Sequence, residues 1–182
     1  PSLFIAALSA LPTGTTTVLF LVSRIGTSIV GLLVNSVLAV RFNWNSDVSS
    51  TARPASWFTV LGVVAAGASI AIHATGDTSV SYVFVAIAWV FSLIAAPLVI
   101  REMHARRMVL ATSIKTGADL ALVLTLGTWF IHTPSVSGFF GIYIAQQAVS
   151  LLCAGFALRR PFLAVVSAAM LVAGVALVLL AW

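Results

Sequence analysis

The chain has 182 residues, 61% of them hydrophobic and 7% charged, with a net charge of +5 and a mean hydropathy of +1.16. A soluble domain of this size carries about 25% charged residues, so this composition excludes a water-covered surface and points to a polytopic membrane protein. No basic run is interleaved with aromatics, which excludes a nucleic-acid surface.

The expected fold is all-α: one transmembrane helix bundle over residues 1–182, with about six spans and helix-hairpin repeats among them. The opening phrase "LFIAALSAL" is too short to span alone, and residues 1–11 lack the basic start of a signal peptide. The first span is predicted over 13–40, just after Pro12, a residue suited to a helix start. It carries Arg24 about midway, with Ser23, Thr27, Gly31 and Asn35 at four-residue intervals. That spacing puts them on one face, a small polar stripe expected to pack against other helices rather than lipid. Two readings of Arg24 are open, a cationic site for an anionic substrate group or a packed interface in which it pairs with an acid.

The second span is predicted over 56–73, entered from "ARPAS", and the third over 80–100. Trp89 lies in the middle of the third, where it either packs or lines a cavity. The fourth span, 108–131, holds "SIKTGADLAL", with Lys115 and Asp119 one turn apart on one face. Asp119 falls about 16 Å into the helix. Intramembrane charges are costly and need a partner, a proton or a wet cavity. Asp119 therefore pairs with Lys115, pairs with Arg24, or acts as a proton-coupling carboxyl.

The fifth span is predicted over 138–158. It contains the adjacent Gln146 and Gln147, with Tyr143 one turn earlier. Adjacent residues on a helix cannot share a direction, so one glutamine is expected to face inward, to bind solute or hold helices together. The sixth span, 162–182, opens at Pro161. Glycines 26, 31, 62, 67, 117, 127 and 174 are read as close-packing positions.

Basic residues gather after the first, third and fifth spans: Arg41 and Arg53; Arg101, Arg106 and Arg107; Arg159 and Arg160. The connections "ATGDTS" and "HTPSVS" carry none. This alternation follows the positive-inside rule, which predicts cytoplasmic basic loops. Trp44, Trp57, Trp129 and Trp182 fall near predicted span ends, where an aromatic belt would place them.

Cys153 is the single cysteine, so no internal disulfide forms. His73, His104 and His132 lie near span ends without metal or haem spacing, and His73 with Asp77 reads as a solvated loop. No phosphate loop, nucleophile motif or metal pair is present, so neither enzymatic activity nor a cofactor is expected.

"VLFLVSRIGTSIVGLLVNSVLAVRF…RPASWFTVLGVVAAGASIAI" and "IYIAQQAVSLLCAGFALRRPFLAVVSAAMLVAGVALVLL" read alike: helix, basic turn, small-residue-rich helix. These phrases, with "GDTSVSYVFVAIAWVFSLIAAPLVIREMHARR", resemble the drug/metabolite transporter superfamily, in particular its EamA-like members. The resemblance touches most of the chain and rests on apolar phrasing rather than an invariant motif. It implies a secondary transporter of a small metabolite in the cell membrane. Arg24, Asn35, Trp89, Asp119, Gln146 and Gln147 would then line a midplane cavity. The family has ten helices in two inverted halves, against six here. The acid usual in its polar turns is missing except for Glu102. A homodimer or a partner membrane chain would complete such an arrangement. The competing reading is a non-transporting subunit that scaffolds a larger complex, its charges acting as clips.

Overall fold

The computed structural model describes residues 14–41 and 51–180, with side chains omitted for 37–41. It contains six helices and, among the described residues, no strand. They are α1 (Thr15–Arg41), α2 (Ala52–Ala74), α3 (Thr78–Ala105), α4 (Val109–His132), α5 (Val136–Ala157) and α6 (Pro161–Leu180). All six are long and apolar enough to cross a membrane. The segment before Pro12, Trp44 and Trp182 lie outside the described residues. Trp57 and Trp129 are exposed near helix ends, as a belt residue would be.

Two predicted boundaries move. Helix α2 begins four residues before the predicted start because Thr51, ahead of it, is tied to α3. The Thr51 amide donates to Glu102 Oε2 at 3.0 Å, and its hydroxyl donates to the Leu98 carbonyl at 2.7 Å. Helix α3 runs five residues past the predicted end, through "REMHA". Pro97 sits inside it, and Glu102 and Arg106 face each other across one turn at 3.1 Å. A proline removes one intrahelical donor and disfavours continuation. The burial of the α3 C-terminal segment against α2 outweighs that cost, as Leu98, Val99, Glu102 and Met103 are all buried.

Turn chemistry sets the connections. Asp77 caps α3 by accepting from the Val80 amide, and Ser135 caps α5 by accepting from the Gly138 amide. The basic turns after α3 and α5 share one geometry. Met108 N–H donates to the Met103 carbonyl and Arg107 N–H to His104; Arg160 N–H donates to Gly155 and Arg159 N–H to Phe156. Both are Schellman closures. An arginine fills the left-handed position that glycine usually takes, with φ of 52° at Arg107 and 54° at Arg159.

Four helices form the core. The antiparallel hairpin α2–α3 is registered by the buried Ser69–Ser81 hydroxyl pair at 3.0 Å. The hairpin α5–α6 is the tightest contact in the protein. A β-carbon on Gly174 would sit 2.8 Å from the Ala145 nitrogen, and one on Gly155 would sit 2.7 Å from the Ala164 nitrogen. Close backbone approach at small residues is what drives helix association where lipid is as apolar as leucine. The two hairpins then pack through α3 on α5 and α2 on α6.

Helices α1 and α4 are peripheral, α1 resting mainly on α3 and α4 mainly on α5. The hairpin repeat read from the sequence is therefore not repeated in packing: α5 and α6 zip together, whereas α1 packs on α3 and not as a hairpin with α2. The glycine reading also divides. Gly26, Gly62 and Gly174 are close-packing sites, while Gly31, Gly67 and Gly117 have open space where a β-carbon would go.

Candidate functional site

The charged pair in α4 forms as the spacing requires. Lys115 Nζ donates to Asp119 Oδ2 at 2.7 Å, a charge-assisted bond on one helix face. Both side chains are mostly covered, with 19% and 12% of their surface exposed. The contact of Phe130 with Gly138 fixes the α4–α5 register. Extended down this antiparallel pair, the register sets Asp119 level with Val149 and Lys115 level with Cys153. Cys153 lies within the electrostatic reach of both charges. Gln146, two turns before Cys153 on α5, shares its face and sits about one turn from the level of Asp119. Gln147 points about 100° away from it. Both glutamines are half-buried. Asp119, Lys115 and Cys153 thus form a polar layer between α4 and α5, and helix register puts Gln146 on the same α5 face as Cys153. In that layer Asp119 Oδ1 is buried with no hydrogen-bond partner.

Arg24 does not join this layer, which corrects the expectation that its stripe packs inward. Helix α1 meets the bundle through Leu19, Gly26, Val30 and Val34, because Gly26 lets the Trp89 ring press against the α1 backbone. That choice of inner face turns Arg24, Thr27, Ser28 and Asn35 outward, where all four are exposed. No Arg24–Asp119 pair forms; Asp119 is taken by Lys115. An outward arginine at mid-span costs about 3 kcal/mol on insertion scales and more on an isolated helix.

Trp89 is buried between α1, α3 and α5, with its ring 5.4 Å from that of Phe140. Phe140 in turn lines a cavity of about 770 Å³, bounded by Leu19 and Val22 of α1, Ala86 and Val90 of α3, and Phe140 of α5. Among the described residues, Thr15 and Tyr82 are its only polar lining side chains. The lining comes from the first halves of α1, α3 and α5, so the cavity lies toward the uncharged connections. Trp89 backs its wall without lining it. None of Arg24, Asn35, Asp119, Gln146 or Gln147 borders this cavity. A second cleft, about 670 Å³, lies at the basic end beside His104, Arg107, Thr112 and Thr116.

Searches of protein-family models, of curated proteins and of solved structures find no match to this chain. Its reading rests on its own geometry.

Glu102, the one acid in the polar turns, takes a structural role that the sequence does not announce. Glu102 is 1% exposed, the most deeply buried charge among the described residues. Its Oε2 accepts from both the amide and the hydroxyl of Thr51, at 3.0 and 3.1 Å, and Oε1 contacts Arg106. The signal available was "EMHAR", an acid and an arginine four apart at a span end. That pattern reads as a solvated turn until Thr51 is known to lie over it. Glu102 locks the start of α2 to the end of α3. Among the described residues, no group of three metal-ligating side chains converges.

Proposed function

We propose that this chain is the membrane-embedded body, or part of the body, of a secondary carrier. The observation that carries the reading is the cavity between α1, α3 and α5. Its size falls within the range of small-molecule pockets, and its apolar wall with two hydroxyls at the rim suits an apolar or amphipathic solute. The resemblance to the drug/metabolite transporter superfamily supports the same class. The cavity changes the substrate expected: its wall holds no charge, so a strongly polar metabolite does not fit it. Gln146 lies apart from the cavity, and so does Asp119 in the α4–α5 layer, where its unpartnered Oδ1 suits proton coupling rather than substrate contact. In this reading the chain sits in the cell membrane with its basic turns cytoplasmic, and the cavity opens in the outer half.

A second reading is favoured by the Lys115–Asp119 bond itself. At 2.7 Å on one helix, it neutralises both charges without any solute. It supports a non-transporting subunit whose charges are structural clips.

Binding of N-phenyl-1-naphthylamine to the protein in nanodiscs separates the two. The carrier reading expects saturable fluorescence enhancement, reduced at least tenfold in affinity by Ala86→Trp, which fills the cavity. It also expects solute flux in proteoliposomes that loses its pH-gradient dependence in Asp119→Asn. Enhancement no greater than in empty nanodiscs, or unchanged by Ala86→Trp, rejects the carrier reading.

A further inference from the structure

The outward face of α1 carries polar groups along a span of membrane-crossing length. Thr17, Leu21, Arg24, Ser28, Gly31 and Asn35 follow one another at alternating intervals of four and three residues. That is the repeat of a helix seam that meets another helix along its length. Five of the six are exposed, Gly31 is half-covered, and a β-carbon on Gly31 would meet nothing. The seam lies on the far side of α1 from Leu19, Gly26, Val30 and Val34, the residues that face α3.

Depth makes the seam a problem that lipid cannot solve. Arg24 is nine residues from Thr15 and twelve from Ser36, the ends of the candidate span, or about 14 Å and 18 Å along the axis. The guanidinium is too deep to reach either surface easily by snorkelling. Ser28 and Thr27 turn their hydroxyls back onto the Arg24 carbonyl at 2.9 and 3.0 Å, so these hydroxyls serve the backbone, and the guanidinium is the charged group that the seam exposes.

The chemistry of the missing neighbour follows. A two-fold contact of α1 with α1 of a second copy would bring Arg24 toward its own equivalent. The chain has four acids. Glu102 is buried on Thr51 and Asp119 is held by Lys115. Asp77 caps α3 in a connection between spans, and Asp47 lies outside the described residues, beyond the end of α1 in sequence. None of the three described acids is outward-facing at mid-depth. We infer that the α1 seam docks a different transmembrane helix, one that carries an aspartate or glutamate at mid-span opposite Arg24 and small residues opposite Gly31. This inference holds under either reading of the function, because none of the seam residues lines the cavity.

The test is photocrosslinking in native membranes, with a benzophenone amino acid placed at Leu21 or Ser28 on the seam, or at the outward Val172 of α6 as control. The expected result is one discrete adduct from both seam positions and none from Val172. Its peptide should map to a helix with a carboxylate at mid-span. Arg24→Glu should lower the yield at least tenfold, Arg24→Lys should retain most of it, and replacing the partner's acid by arginine should restore it in the Arg24→Glu chain. An adduct with the mass of two copies overturns the inference, as does crosslinking to lipid alone. A captured helix without an acid, or a yield indifferent to Arg24→Glu, overturns it equally.

Discussion

Replacing Gly174 by alanine tests the packing on which the whole core depends. The new β-carbon would lie 2.8 Å from the Ala145 nitrogen and 3.0 Å from the Gly141 carbonyl oxygen. Carbon prefers about 3.5–4.0 Å from such neighbours, and both are backbone atoms that no rotamer change can move. Helices α5 and α6 must therefore separate by a sizeable fraction of an ångström along their length. Overpacking of this kind costs about 1–3 kcal/mol. Gly67→Ala in α2 is the matched control, since a β-carbon there meets nothing within 4 Å. It should gain up to about 1 kcal/mol from helix propensity. That gain applies to both positions, so the two alanine variants should differ by about 1–3 kcal/mol, the overpacking term. The assay is equilibrium unfolding in lipid–detergent micelles, followed by helicity against denaturing detergent. Gly141→Ala, which touches the same contact, should add less than its separate cost to Gly174→Ala, because one separation of the helices relieves both clashes. Equal stability of the Gly174→Ala and Gly67→Ala variants would refute the zipper, and would mean that α5 and α6 are held by their leucines and valines instead.

The same titration checks the ion pair: Lys115→Met should cost about 2–4 kcal/mol by leaving Asp119 uncompensated between α4 and α5. Adding Asp119→Leu should recover most of it, and a double variant as unstable as the single one would show that the charges do not act as a pair. Glu102→Leu strips the Thr51 amide of its acceptor, which should cost about 1.5–3 kcal/mol and speed hydrogen exchange at the start of α2; unchanged exchange there would remove Glu102 from its role as the α2–α3 lock. Arg159→Gly relieves a left-handed non-glycine residue and should stabilise the α5–α6 turn by about 1 kcal/mol, and a loss of stability would show that the arginine side chain makes contacts worth more than the strain.

The spans were legible because a 20-residue apolar run has few alternatives. Their ends were less so where one helix finishes on another. Nothing local announces that "REMHA" stays helical; burial of Glu102 and Met103 against the start of α2 decides it, and that contact joins residues 51 apart. The Lys115–Asp119 pair was readable because both partners lie on the same turn of one helix. The orientation of α1 was not. The Ser23–Thr27–Gly31–Asn35 stripe and the Leu19–Gly26–Val30–Val34 face are both plausible packing surfaces by spacing alone. The choice between them falls to Trp89, which needs a glycine opposite its ring and finds one at Gly26. Hydrophobic periodicity does separate the two faces of α1, but in a membrane a polar stripe is expected to turn toward other helices, and here the apolar face is the one that packs on the bundle.

The charges show a consistent logic once the packing is known. Each buried acid has a cation four residues away on its own helix, Glu102 with Arg106 and Asp119 with Lys115. Such a pair is complete before any tertiary contact forms, so the helix enters the bilayer with its charge already partly neutralised and the bundle needs only to cover it. Arg24 breaks the pattern. Its neighbours at three and four residues on either side are Phe20, Leu21, Thr27 and Ser28, which offer hydroxyls and apolar surface but no carboxylate. A helix that carries its compensation can pack at the edge of the bundle, as α4 does with its Lys115–Asp119 pair covered against α5. Arg24 has no such partner on its own helix, and α1 turns that residue away from α3, so the inferred partner helix is where its countercharge would lie.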